Sequence, residues 1–348
     1  MPIIQLILSF LIGFTLVIIA IPVIIRISRE KHLYDEPNER RVNKVVVPNL
    51  GGIAIFIGVS IATLLSLHKF EFIEFRYILA SMIILFFIGM KDDILIISPR
   101  KKLIAQIICA LILIIPGDIR FTNLHGILDF FEINYFVSVA ITLVAIVSII
   151  NAINFVDGID GLAASIGIFS SIIFGTKFLV TTNNDYAILC SALTGSLLAF
   201  LRFNVFGKTN KIFLGDTGSL LLGLLIAVQV IQYNEFALTT TPQETAFSPV
   251  FSLAILATPL ADMIRVFIVR IINGKSPFAP DLGHIHHRLL GLGFSHIACT
   301  VIIVLINCVI ITLAFAFRFL NKHVLMIFLI VVIFFLLQLP DFFTKRKK

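Results

Sequence analysis

A chain of 348 residues that is 59% apolar, only 14% charged and has a mean hydropathy of +1.06 lies outside the range of a water-soluble globular domain. The apolar runs leave no room for a separate soluble domain. The net charge of +7 belongs with anionic lipid headgroups, and nucleic acid is not needed to explain it.

A hydrocarbon core of about 30 Å needs roughly 20 apolar residues per helix. In chain order, runs of that kind cover residues 3–27, 50–68, 76–91, 103–116, 135–152, 161–180, 186–202, 212–231, 247–270, 297–319 and 322–340, which predicts eleven spans. The fourth is short and is a candidate for a partly re-entrant segment. A β-barrel would show strands of about ten residues alternating apolar and polar, and runs such as 3–25 do not alternate. The first run has no basic residue before it and no small-residue cleavage pattern after it, so it reads as an uncleaved anchor. The expected fold is all-α: a polytopic integral membrane protein, with residues 1–348 forming one membrane-embedded domain. Cys109, Cys190, Cys299 and Cys308 lie inside apolar runs and read as packing residues, with neither a disulfide framework nor metal spacing.

Basic residues near helix ends are held on the cytoplasmic side. Placing the amino terminus outside and the carboxyl terminus in the cytoplasm leaves only Lys69, Arg76, Arg120, Lys177, Arg318 and Lys322, of 27 basic residues, on the outer side. The outer loops are then chemically bland. The unusual polar residues gather on the inner ones.

The first inner loop runs from Asp35 to Arg41 and on to Pro48-Asn-Leu-Gly-Gly52, whose glycines permit close backbone approach, with Arg40, Arg41 and Lys44 as phosphate candidates. The second opens with Lys91-Asp92-Asp93 and continues through Lys102 to Gln106. Adjacent carboxylates at a membrane boundary are costly unless a cation compensates them. Mg²⁺ suits such oxygens and keeps water and substrate phosphate as its other ligands. A plain helix-end cap is the alternative.

The third is Asn151-Ala-Ile-Asn154-Phe-Val-Asp157-Gly-Ile-Asp160-Gly-Leu162, in which Asn151 and Asn154 share a helix face and Asp157 and Asp160 repeat the spacing across a turn. The calcium-loop pattern is absent from it. The fourth is Phe213-Leu-Gly-Asp216-Thr-Gly-Ser219, in which Asp216 is a metal-ligand candidate or an N-cap. The fifth, residues 273–289, holds Asp281 and the run His284-Ile285-His286-His287-Arg288, a set suited to phosphate oxygens in the absence of further zinc ligands. Upstream, Asp262 and Arg265 read as an intrahelical ion pair.

Taken together, these segments resemble the bacterial polyprenyl-phosphate N-acetylhexosamine-1-phosphate transferases over residues 35–289 in order. The form of the histidine segment resembles the undecaprenyl-phosphate N-acetylglucosamine-1-phosphate transferase branch more than the phospho-N-acetylmuramoyl-pentapeptide transferase branch. Asn43 and Asn49 depart from it, standing where the family usually has His and Arg.

The resemblance implies a phosphoglycosyltransferase of the bacterial inner membrane, active on the cytoplasmic face and initiating cell-envelope polysaccharide synthesis. It would move N-acetylhexosamine 1-phosphate, first of all GlcNAc-1-phosphate, from a UDP-sugar to undecaprenyl phosphate and release UMP. It further implies Mg²⁺, with Mn²⁺ an alternative, on Asp93 and Asp216; Asp92 as a base or positioning group; and Lys102 as a lipid-phosphate contact. Asn151, Asn154, Asp157, Asp160 and Phe213 would hold the nucleotide, and His284, His286, His287 and Arg288 the sugar-diphosphate. Which UDP-N-acetyl sugar is used, and whether the chain dimerises, stay open. A secondary transporter would instead carry its polar residues near mid-membrane.

Overall fold

The computed structural model describes residues 2–33, 47–67, 72–95, 97–276 and 283–345. Asp35, Arg40, Arg41, Asn43, Lys44 and Asp281 lie outside the described residues. Each of the eleven apolar runs is helical. The helices are α1 (Pro2–Glu30), α2 (Gly51–Ser66), α3 (Phe75–Leu95), α4 (Pro99–Ile114), α5 (Tyr135–Val156), α6 (Leu162–Val180), α7 (Asn184–Asn204), α8 (Gly215–Ala237), α9 (Pro242–Ile255), α10 (Ala257–Ile272), α11 (Ile285–Gly291), α12 (His296–Ala316) and α13 (Lys322–Lys345). Among the described residues, seven of them are long and apolar enough to cross a membrane, namely α1, α5, α6, α7, α8, α12 and α13, and the bent pair α9–α10 brings the number to eight if it is counted as one span.

Two expectations are corrected. The ninth run is not one helix: it breaks at Leu256 and α10 turns 65° from α9. The cause is local. Pro259 has no N–H for the Ile255 carbonyl, and its ring crowds that carbonyl. The loop before α5 carries a small antiparallel hairpin, β1 (Asn123–Ile127) with β2 (Phe130–Glu132), closed by Leu128 and Asp129 at φ of 52° and 63°, as a primed two-residue turn requires.

Helix starts follow ordinary chemistry. Asn134, Thr241 and Ser295 cap α5, α9 and α12 through their side chains, and Pro99 and Pro242 occupy first-turn positions that need no donor. The most central of the spanning helices is α8, with 89% of its most apolar stretch buried against 22% for α1. Helices α2, α3, α5, α6 and α9 pack around it. The four cysteines are free, with Cys109, Cys190 and Cys299 buried, in keeping with a packing role.

Candidate active site

The amino end of α8 has no capping side chain of its own, since Leu214 precedes it. Asp93, at the end of α3, supplies the cap from across the bundle. Its Oδ1 accepts from the Asp216 N–H at 2.7 Å, and its Oδ2 accepts from the Thr217 N–H at 3.0 Å and the Thr217 hydroxyl at 2.6 Å. A carboxylate at a helix amino terminus also meets the positive end of the helix dipole. Close approach makes this possible. A Cβ at Gly89 would overlap the Thr217 backbone, and one at Gly52 would overlap Gly218. Gly215 takes a φ of +74° with its Cα against the Asn49 carbonyl. The glycines of the first inner loop therefore let α2 and α8 start side by side, tied by Gly51 N–H to Phe213 O and Gly52 N–H to Leu214 O, both 3.0 Å.

Around that cap stand the other carboxylates. Lys102, from the first turns of α4, reaches Asp92 at 2.5 Å and Asp216 at 2.9 Å, and so bridges two acids that would otherwise repel. Asp92 also accepts from the Ile97 N–H at 2.5 Å. Asn154 donates to Asp216 at 2.7 Å and to Ser219 at 2.8 Å, fixing α5 to α8. Asn151, one turn back, instead pairs with Gln106 of α4 at 2.8 Å and does not reach the carboxylates.

Asp157 differs from its neighbours. Among the described residues nothing donates to it. Desolvation, followed by the charges of Asp216, Asp93 and Asp160, pushes its carboxyl well above the usual range. Asp160 is the opposite case: burial opposes its charge, but His296 at 3.3 Å and Lys211 at 2.6 Å outweigh that and hold it below the usual carboxylate value. Asn204 fastens this turn to the segment before α8, accepting from the Gly161 N–H at 2.6 Å and donating to the Ile212 carbonyl at 2.9 Å. Phe213 is half-buried, with the Lys211 ammonium 5.5 Å from its ring centre.

The histidine segment reaches the same end of the bundle. His286 is buried against Gly158, where a Cβ would overlap its ring, and among the described residues neither ring nitrogen has a hydrogen-bond partner. Burial, reinforced by the His287 and His284 rings, holds its imidazole down at about 3, hence neutral. His284 and His286 stack with centres 5.7 Å apart, and His287 lies 4.2 Å from His286. The expected Asp262–Arg265 ion pair is present, at 3.5 Å. Asp262 chiefly serves α11: it accepts from the Ile285 N–H at 3.0 Å and meets His284 Nδ1 at 2.8 Å, while Arg265 donates to the Gly283 carbonyl. Arg288 is held by Asp341 at 2.8 Å and by the Leu337 carbonyl at 2.6 Å, both on α13.

The sequence reading named Asp262 only as the partner of Arg265, and it missed Lys211, His296, Asn204 and Phe155, whose ring lies 5.6 Å from that of His284. Phe155 stood in plain view inside the Asn151–Leu162 segment; the others are separated from their partners by loops or whole helices.

The family described as glycosyl transferase family 4 matches residues 75–234, the stretch that carries Asp92, Asp93, the Asn151–Leu162 turn and Asp216. Over 311 residues, 87% of this chain and 82% of the relative, the sequence is 30% identical to the probable undecaprenyl-phosphate N-acetylglucosaminyl 1-phosphate transferase of Bacillus subtilis (strain 168). The chain belongs to glycosyl transferase family 4. It is 29% identical to the undecaprenyl-phosphate alpha-N-acetylglucosaminyl 1-phosphate transferase of Salmonella typhi over 78% of this chain and 73% of that protein, and 29% identical to that of Yersinia pestis over 86% and 80%. As a member of this family it is a phosphoglycosyltransferase, as the inner segments led us to expect.

Proposed function

We propose that this glycosyl transferase family 4 member moves N-acetylglucosamine 1-phosphate from UDP-N-acetylglucosamine to undecaprenyl phosphate. A phosphate oxygen of the lipid forms a bond to the β-phosphorus, the bond to the α-phosphate oxygen breaks, and UMP leaves with that oxygen. The names of the relatives supply the sugar and the acceptor. The observation that carries the reading is the meeting of Asp92, Asp93, Asp157 and Asp216 at one end of the bundle, with Lys102 as the cation bound among them and the histidine segment docked on Gly158.

Among the described residues no three His, Cys, Asp or Glu side chains stand ready-made around one metal position. The charge balance nevertheless fits a divalent cation, because Asp157 feels the charges of Asp216, Asp93 and Asp160 and, among the described residues, has no donor. In this reading Asp216 and Asp157 hold Mg²⁺ or Mn²⁺. Asp93, whose oxygens already serve the α8 amides, keeps Asp216 in place. When bound, the cation would cancel repulsion between two phosphate-bearing substrates and stabilise charge on the transferring phosphoryl group.

Lys102 is the group that can turn from the Asp92–Asp216 pair to the lipid phosphate, with Asp92 orienting that phosphate. Phe213 offers a ring face for uracil with Lys211 beside it, and the Asp160 turn frames the nucleotide. His286 and His287 face the sugar-diphosphate, while Asp262 and Asp341 hold the segment through His284 and Arg288. The bias of basic residues supports a cytoplasmic position for this end, with the protein in the bacterial inner membrane as part of this reading.

One experiment tests substrate and sidedness together. Polyprenyl phosphate is built into sealed vesicles with the protein, a panel of UDP sugars is added outside, and the lipid product is read by mass spectrometry. Inside-out vesicles are expected to yield a polyprenyl-diphospho-N-acetylhexosamine with one UMP per product, and right-side-out vesicles none. Release of UDP, or product from right-side-out vesicles alone, would overturn the reading.

A further inference from the structure

The break between α9 and α10 is filled by a side chain from a third helix. Pro259 leaves the Ile255 carbonyl without its helical donor, and Asn307 of α12 donates its Nδ2 to that carbonyl at 2.6 Å. The same amide's Oδ1 accepts from the Thr258 N–H at 3.2 Å and from the Thr258 hydroxyl at 3.0 Å. Asn307 is 2% exposed. A buried amide with both ends used in this way replaces the hydrogen bonds that a bent helix loses, and in an apolar surrounding each unmade bond would be expensive.

What lies on either side of this plug bears on the site. Beyond the break, α10 carries Asp262, which sets His284 and the first N–H of α11, and Arg265, which holds the Gly283 carbonyl. Two turns before Asn307 on the same face of α12, Thr300 donates to the Asp160 carbonyl at 2.8 Å, and His296 stands 3.3 Å from the Asp160 carboxylate. Residues seven apart on a helix share a face at a spacing of about 10 Å. One rigid helix thus holds the 157–160 turn at its end and the base of the histidine-bearing arm further down.

We infer that Asn307 is a positioning residue: it plugs the α9–α10 break so that α12 keeps the histidine segment in register with the 157–160 turn. The inference rests on the transferase reading of that site. Asn307 touches no reacting group and acts through α10 and α11.

The test compares Asn307→Leu, which removes the plug, with Thr258→Val, which removes only one hydroxyl donor and spares the fold, and with Thr258→Ser, which restores that donor. Hydrogen–deuterium exchange in lipid nanodiscs is read beside transfer kinetics and UMP binding. In Asn307→Leu and Thr258→Val, exchange is expected to quicken selectively in 283–291 and to stay unchanged in 162–180. The turnover number should fall about tenfold in Asn307→Leu and less in Thr258→Val, with UMP affinity held within about twofold. Thr258→Ser should match the natural protein.

Exchange that rises along the whole of α12, or a selective rise without loss of turnover, would make Asn307 a packing residue and overturn the inference. Equal loss in Thr258→Ser and Thr258→Val would do so as well. If the natural protein transfers nothing, the transferase reading fails, and the exchange pattern still decides whether the plug holds the arm.

Discussion

The two ends of this helix bundle treat charge in opposite ways. At the end bearing β1 and β2, Glu235, Glu244 and Asp118 each have a partner. Glu235 accepts from the Thr122 N–H at 2.8 Å and from its hydroxyl at 2.6 Å, Glu244 meets Lys177 at 2.5 Å, and Asp118 meets Arg120 at 2.7 Å. At the other end, Asp92 and Asp216 share one lysine, Asp93 is spent on the backbone of α8, and Asp157 has no donor among the described residues. The balanced end is finished structure. The unbalanced end is an arrangement whose charge is completed by something that binds, and α8 runs from one to the other.

Breaking the unbalanced end should have the largest effect. Asp216→Asn removes one charge from the cluster while keeping the shape and the Asn154 contact region. Transfer should fall about 10²-fold or more, the scale of losing charge stabilisation at a phosphoryl group. Chelation should abolish transfer in the natural protein, and Mg²⁺ or Mn²⁺ should restore it. Near-normal turnover in well-folded Asp216→Asn would remove Asp216 from the proposed metal site.

Much of this end was legible in the sequence because its parts are short, polar and set in apolar runs. Asp92-Asp93, Asn151 to Leu162 and Phe213 to Ser219 are helix ends, and the structure brings all three together. What stayed hidden is which helix end meets which. Asp93 was readable as a metal ligand because its cap is made in space, on a helix that begins more than a hundred residues later. Asp262 was readable as the partner of Arg265, one turn away, because the stronger partners, His284 and the Ile285 N–H, lie across a loop. Arg288 pointed by composition to phosphate, yet its guanidinium serves Asp341. The ninth run kept its apolar pattern straight through Pro259, so periodicity alone reported one unbroken helix. The hairpin strands are too short to establish an alternation.

A smaller effect sharpens the comparison through pH. His286 is packed neutral at the site end, its imidazole held at about 3 against an ordinary 6.5. The folded form therefore binds fewer protons than the unfolded one. Its contribution to stability is full above 6.5 and is lost as pH falls from there towards 3. Between pH 7.5 and pH 5 the loss amounts to about 2 kcal/mol from this residue. Chemical denaturation in mixed micelles should show that slope, and His286→Phe should flatten it whatever it does to absolute stability. An unchanged slope would mean that His286 is solvated, not packed against Gly158.

The smallest effect belongs to the balanced end, and it decides whether the two ends are independent. Lys177 and Glu244 join α6 to α9, with the Tyr233 hydroxyl donating to Glu244 at 3.3 Å and the Lys177 ammonium 5.4 Å from the Phe251 ring centre. Both partners keep part of their surface exposed, 26% and 33% of the side chain, so solvent screens the pair. A double-mutant cycle with Lys177→Met and Glu244→Gln should return a coupling of no more than about 1 kcal/mol. Transfer should stay within about twofold, because neither residue touches the carboxylate cluster. Tyr233 and Asp216 lie on one helix, however, so a strained far end has a direct route to the site. A tenfold loss of turnover in Glu244→Gln, with stability unchanged, would show that α8 transmits the state of this ion pair to Asp216, and the bundle would then have to be treated as one coupled unit.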